Sequence, residues 1–173
     1  TQGTKHGLNY YRWEVNDVPR MYKEPNMPPL FRVVQRLLIS TAPSWETISK
    51  WYWELSEPHY QITDAIHEKA QALVEGIDTD KQKIRELFKF VSQEIRYLGI
   101  TREETAPGYE PHDVSETFDK KAGVCRDKAA LLVAMLRDVG FDAFPVLIHS
   151  SAKKDPEVPL PWFNHAVVAV DLG

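Results

Sequence analysis

Gly123-Val124-Cys125-Arg126-Asp127-Lys128-Ala129-Ala130-Leu131-Leu132-Val133-Ala134-Met135-Leu136-Arg137-Asp138-Val139-Gly140 is the stretch on which the fold turns. Ala129, Leu132, Val133 and Leu136 recur at helical spacing, which predicts a central helix over 124–139 with Gly140 just past its end. The one cysteine of the chain lies at the mouth of that helix. Unpaired N–H groups there carry partial positive charge and favour a thiolate. Lys120, Lys121, Arg126 and Lys128 add positive charge nearby. Asp127 favours the first turn and is read as a binder of backbone amides or of Lys128. Gly123 allows a tight turn and leaves room for a substrate to approach.

Forty residues after Cys125, Asn164-His165-Ala166 opens a β-branched run. It predicts a strand over 163–170, preceded by a strand over 141–148 in which Pro145 marks an edge or a bulge. A histidine on such a strand can hold or take a thiol proton. Alone, a cysteine is more often a small buried hydrophobe. The ordered pair of Cys125 and His165 is what points to nucleophilic catalysis.

Upstream, Thr63 to Glu75 reads as a helix stopped by Gly76. A further helix is capped by Asp78 or Thr79, carries Ile84, Leu87, Phe88, Val91 and Ile95 at helical spacing, and ends at Gly99. A loop with Pro107-Gly108 and Pro111 follows, and Asp113-Val114-Ser115-Glu116 fits a capping box for a short helix. Ser44 caps an earlier helix rich in aromatics, Trp45, Trp51, Tyr52 and Trp53. A binding surface is one reading of it; a linker helix buried between domains is the one adopted. Before it, Tyr10–Val15 and Phe31–Ile39 read as strands separated by Pro19, Pro25, Pro28 and Pro29. Two strands do not make a stable domain. The organisation expected is therefore a β-arm or remnant of a β-rich domain over 1–43, an aromatic linker helix over 44–57 and a main domain over 58–173. Helices followed by antiparallel strands give an α+β core.

Composition excludes several classes. The chain has 173 residues, 43% apolar and 27% charged, with a net charge of −4. It carries no basic stripe for nucleic acid or an anionic membrane surface. Its longest apolar run, 129–136, is far short of a membrane span. A lone cysteine forms no internal disulfide. No His, Cys, Asp or Glu set has metal-ligand spacing, and no phosphate or dinucleotide fingerprint occurs, so neither metal nor cofactor is expected. His6, His59, His67 and His149 are read as structural or exposed, and His112 as a loop cap near the cleft.

Four separated motifs occur in order: Val91-Ser92-Gln93-Glu94-Ile95-Arg96-Tyr97, Gly123 to Ala129, Leu131 to Phe141, and Phe163-Asn164-His165-Ala166. Together they resemble the bacterial transglutaminase-like superfamily over about 58–173. The N-terminal 55 residues or so resemble the end of a β-rich domain that precedes it in exported proteins. The resemblance implies a papain-like core with Cys125 as nucleophile and His165 as general base. It sets Tyr97 where relatives keep an aromatic near the active site, sometimes as an oxyanion-side donor; a core tyrosine is the other reading. Val124 stands where many relatives carry an acid. The third triad member, an aspartate on the strand after the histidine strand, has no counterpart. Asp171 is six residues from His165 on the same strand, or roughly 20 Å at about 3.3 Å per residue, and is unsuitable. The core is accordingly expected to be incomplete at its C-terminal end, with a separate C-terminal piece as the alternative.

The resemblance implies a cysteine protease, amidase or acyltransferase acting on peptide or protein through a thioester, exported to the periplasm or cell surface. The rival is a catalytically inactive module of the same fold that binds protein, peptide or glycan. Neither nucleic acid nor membrane insertion is expected. The unpaired edge of the β-arm offers a route to pairing with another chain.

Overall fold

The computed structural model describes residues 1–99 and 108–173, which separate into two compact units, Thr1–Arg36 and Leu37–Gly173. In the first, β1 (Gln2–Lys5) and β2 (Leu8–Tyr11) form an antiparallel hairpin. His6 and Gly7 both take positive φ, 52° and 77°, as a two-residue turn that matches the strand twist requires. The strand expected over Tyr10–Val15 is therefore displaced toward the N-terminus. The strand expected over Phe31–Ile39 does not form: Leu30–Arg32 is a 3₁₀ turn. Pro28 and Pro29 precede it, and no described strand pairs with 31–39 to satisfy its backbone.

The second unit begins with α1 (Trp45–Ser56), capped by the Ser44 hydroxyl on the Thr47 N–H. It runs into a 3₁₀ turn, Glu57–Tyr60, that contains Pro58. Next come α2 (Asp64–Val74), capped by Thr63, and α3 (Asp80–Glu94), preceded by Thr79. The chain leaves α3 at Glu94 and not at Gly99. Arg96–Tyr97 forms β3 and pairs in parallel with β4 (Ala122–Gly123), after α4 (Val114–Lys120). The Arg96 N–H to the Lys121 carbonyl and the Leu98 N–H to the Gly123 carbonyl hold this bridge. A tertiary partner thus overrides the helical pattern. The expected capping box of α4 is also absent, because the Asp113 carboxylate is bound to His59. Pro107, named in the expected loop, lies outside the described residues.

Helix α5 (Cys125–Asp138) is the centre of the unit. The sequence pattern predicts an apolar stripe, but every residue from Ala129 to Leu136 is buried. Helices on one side and a hairpin on the other enclose it, which is what an all-apolar helical run requires. The hairpin is β5 (Asp142–Ile148) and β6 (His165–Asp171), antiparallel, in register from Asp142 opposite Asp171 to Ile148 opposite His165. Leu87, Val91, Ile95, Leu131, Met135, Leu136 and Ala143 share the core. Each large side chain among them contributes about 1.5–3 kcal/mol by leaving water. No helix among the described residues is long and apolar enough to cross a membrane.

Candidate active site

The mouth of α5 is shaped by its third residue. Asp127 is only 3% exposed. One oxygen accepts the Val124 N–H at 2.9 Å, and the other accepts the His112 N–H at 3.0 Å and lies 3.2 Å from His112 Nδ1. The carboxylate thereby satisfies an orphan amide at the helix start and draws the loop before α4 against it. Gly123 permits this approach: a Cβ there would lie 2.8 Å from Asp127 Cβ. The same loop is held by Arg126 Nε on the Glu110 carbonyl at 2.6 Å. His59 grips it from outside, 3.1 Å from Glu110 and 2.7 Å from Asp113. Burial alone would lower the His59 pKa, but its bonds to Asp113 and Glu110 outweigh that and raise it.

Cys125, the first residue of α5, is half-buried. Tyr97 reaches it from β3, whose pairing with Gly123 sets it beside the turn. The Tyr97 ring and the Cys125 side chain line the same cavity. Burial first, and then the neighbouring Cys125, raise the tyrosine pKa. Lys128, one turn into α5, reaches back to the end of α3, where its ammonium donates to the Ile95 and Ser92 carbonyls. Burial lowers its pKa.

His165 begins β6, and its register is fixed from the preceding loop. The Asn164 N–H donates to the Ile148 carbonyl, and its side chain accepts the Ser150 N–H at 2.9 Å and donates to the Ser150 hydroxyl at 3.1 Å. The Tyr109 hydroxyl oxygen accepts the Phe163 N–H at 3.1 Å and lies 2.7 Å from the Pro161 carbonyl. Trp51 and Phe163 both meet the Tyr109 ring edge-on. Trp45 leans on Phe163 and donates through Nε1 to the Asp155 carbonyl at 2.8 Å. The aromatics of α1 thus brace the approach to the histidine strand.

Cys125, Tyr97 and His165 line one cavity of about 320 Å³ between α3, α5 and β6. A buried helix that offers a thiol from its N-terminus, with a strand that offers an imidazole into the same cavity, is an arrangement suited to thiol-based acyl transfer. The sequence model of the transglutaminase-like superfamily matches residues 67–172. The chain belongs to the transglutaminase-like superfamily. A crystal structure described as that of a "putative protease" from Parabacteroides distasonis ATCC 8503 shares the fold, with a TM-score of 0.57 and 16% identity. The likeness covers 75% of this chain and 25% of that one, so the chain spans about a quarter of that protein's length. No curated protein matches the chain.

Within this transglutaminase-like fold the sequence-derived residues separate clearly. Cys125, His165 and Tyr97 come together. Asp171 lies opposite Asp142 at the far end of the hairpin, while His165 is opposite Ile148. His112 binds Asp127, His67 pairs with Asp138, and His149 Nδ1 accepts the Ala152 N–H. No group of three metal-ligating side chains occurs among the described residues. Tyr109 was not singled out by sequence; its only signal is an aromatic between turn-forming residues.

Proposed function

We propose that this transglutaminase-like domain is a cysteine-dependent enzyme acting on peptide or amide bonds of peptide and protein substrates. The observation that carries the reading is the convergence of Cys125, His165 and Tyr97 on one cavity at the start of a buried helix. In this reading the Cys125 thiol gives its proton to the His165 ring, and the sulfur attacks the carbonyl carbon. Backbone N–H groups of the first turn of α5, with the Tyr97 hydroxyl, stabilise the charge that develops on the carbonyl oxygen. The C–N bond breaks as His165 returns the proton to the leaving amine, and a Cys125 thioester remains. Water then hydrolyses the thioester; an amine in its place gives transamidation. Hydrolysis is the preferred outcome because water is the default acceptor. An exported setting belongs to the same proposal and is read by fractionating cells that make the full-length protein.

One observation favours a second reading, a binding module without turnover. The one acid on the histidine strand, Asp171, sits at its opposite end. A single measurement separates the two. In the full-length protein, the rate of Cys125 alkylation by iodoacetamide is followed against pH for wild type and His165→Ala. Enzyme chemistry predicts a slower reaction at pH 7 in the variant, by roughly tenfold or more, because the thiolate fraction falls. Superimposable profiles would sink the enzyme reading.

A further inference from the structure

The cavity at Cys125 has a wall that acyl transfer itself does not require. Ala129 and Leu132 follow Cys125 at four and seven residues along α5, so the pocket starts at the sulfur and continues down one helix face. Val91 of α3 and Val168 of β6 oppose that face, and Phe88 stands at the rim, 55% exposed. Val91 and Leu132, 3% and 8% exposed, lie deep.

Beyond the sulfur, the polar groups of this wall are turned toward backbone carbonyls. The Lys128 ammonium donates to the Ser92 and Ile95 carbonyls, so the cavity meets its alkyl stem. The Ser92 hydroxyl donates to the Lys89 carbonyl at 3.1 Å. A charged group entering beyond the sulfur would give up water for a mainly apolar lining of Phe88, Val91, Ala129, Leu132 and Val168. An apolar group would gain by leaving water. At about 320 Å³ the space is at the small end for ligand sites, which suits one side chain and not an extended ligand.

We propose that this cavity is a specificity pocket for an aliphatic side chain of the substrate, beside the bond that Cys125 attacks, and that it rejects carboxylate and ammonium side chains. The proposal rests on the reading of Cys125 as the residue that meets substrate, and it adds the substrate class.

The test uses the full-length protein and three chloroacetamides, carrying an isobutyl, a carboxylate or an ammonium group. Each forms a C–S bond with Cys125 and releases chloride. Each rate is divided by the rate of the same reagent with glutathione, which removes intrinsic reactivity. The isobutyl reagent is expected to exceed both charged reagents by about tenfold or more, the scale on which apolar pockets discriminate. Phe88→Asp, checked for folding by circular dichroism, is expected to lower the isobutyl ratio several-fold and to raise the ammonium ratio. Ratios within about twofold of one another in wild type, or an unchanged order of preference in folded Phe88→Asp, would overturn the pocket. The outcome is separable from that of the acyl-transfer reading: superimposable pH profiles for wild type and His165→Ala strike at the chemistry, whereas flat chloroacetamide ratios strike at the pocket.

Discussion

Asp127 and Gly123 show how one turn of chain fixes the start of α5, where Cys125 sits. The buried carboxylate accepts two backbone N–H groups and faces a third donor on His112. Asp127→Asn keeps the volume but turns an NH₂ group toward donors. Hydrogen bonds to a charged group are each worth about 1.5–3 kcal/mol, so a loss of about 2 kcal/mol is expected in urea denaturation. Gly123→Ala sets a methyl 2.8 Å from Asp127 Cβ and 3.3 Å from Thr117 Cγ2. Overpacking of that kind costs about 1–3 kcal/mol, and the alkylation rate of Cys125 is expected to fall with it as the turn shifts. A Gly123→Ala protein with wild-type stability and wild-type Cys125 reactivity would show that the close approach is not needed. At this scale the sequence was legible where the chemistry is local. The place of Cys125 at a helix start and the amide-binding role of Asp127 lie within three residues, whereas the close approach of Gly123 to the Asp127 side chain was not legible. Tyr109 was not legible, since its partners lie more than fifty residues away.

Among elements, those with strong periodicity form where the pattern places them: α2, α5 and the β5–β6 hairpin lie within two residues of expectation. Two failures share a cause. Helix α3 stops early because Arg96 and Tyr97 find a parallel partner in Ala122 and Gly123. The strand over 31–39 fails to form because no described strand pairs with it. Strand formation depends on a partner that periodicity within one segment does not reveal. The aromatic helix α1 is the converse case, with a role that emerges only from contact. Through Trp51 and Trp45 it supports Tyr109 and Phe163, and these steady the entry to β6. Tyr109→Phe keeps the ring stack and removes the hydroxyl. The expected result is a loss of about 1 kcal/mol, with the Phe163 amide exchanging faster while amides of α5 keep their protection. Unchanged exchange at Phe163 would mean that the ring stack alone holds the strand entry.

For the whole C-terminal unit, the α+β order of helices before hairpin followed from the sequence, but the bracket that ties its N-terminal turn to the loop before α4 did not. His59, on the 3₁₀ turn after α1, holds Glu110 and Asp113, while Arg126 and Asp127 hold the same loop from the helix side. This bracket makes domain stability depend on pH in a definite sense. The folded-state pKa of His59 is raised above its ordinary value of 6.5 by Asp113 and Glu110, against the opposing effect of burial. A histidine whose pKa rises on folding binds its proton more tightly in the native state. Its contribution is therefore complete below about pH 6.5 and is lost as pH rises through the folded value. Both carboxylate partners are partly solvated, so the effect falls in the range of exposed pairs, about 0.5–1 kcal/mol. His59→Gln can keep one hydrogen bond but carries no charge. The urea midpoints of wild type and His59→Gln should differ most at pH 5.5–6 and converge by pH 9. His67, raised in the same direction by Asp138, is present in both proteins and cancels in the comparison. A difference that grows toward high pH would reverse the sign and show that neutral His59, and not its charged form, holds the loop.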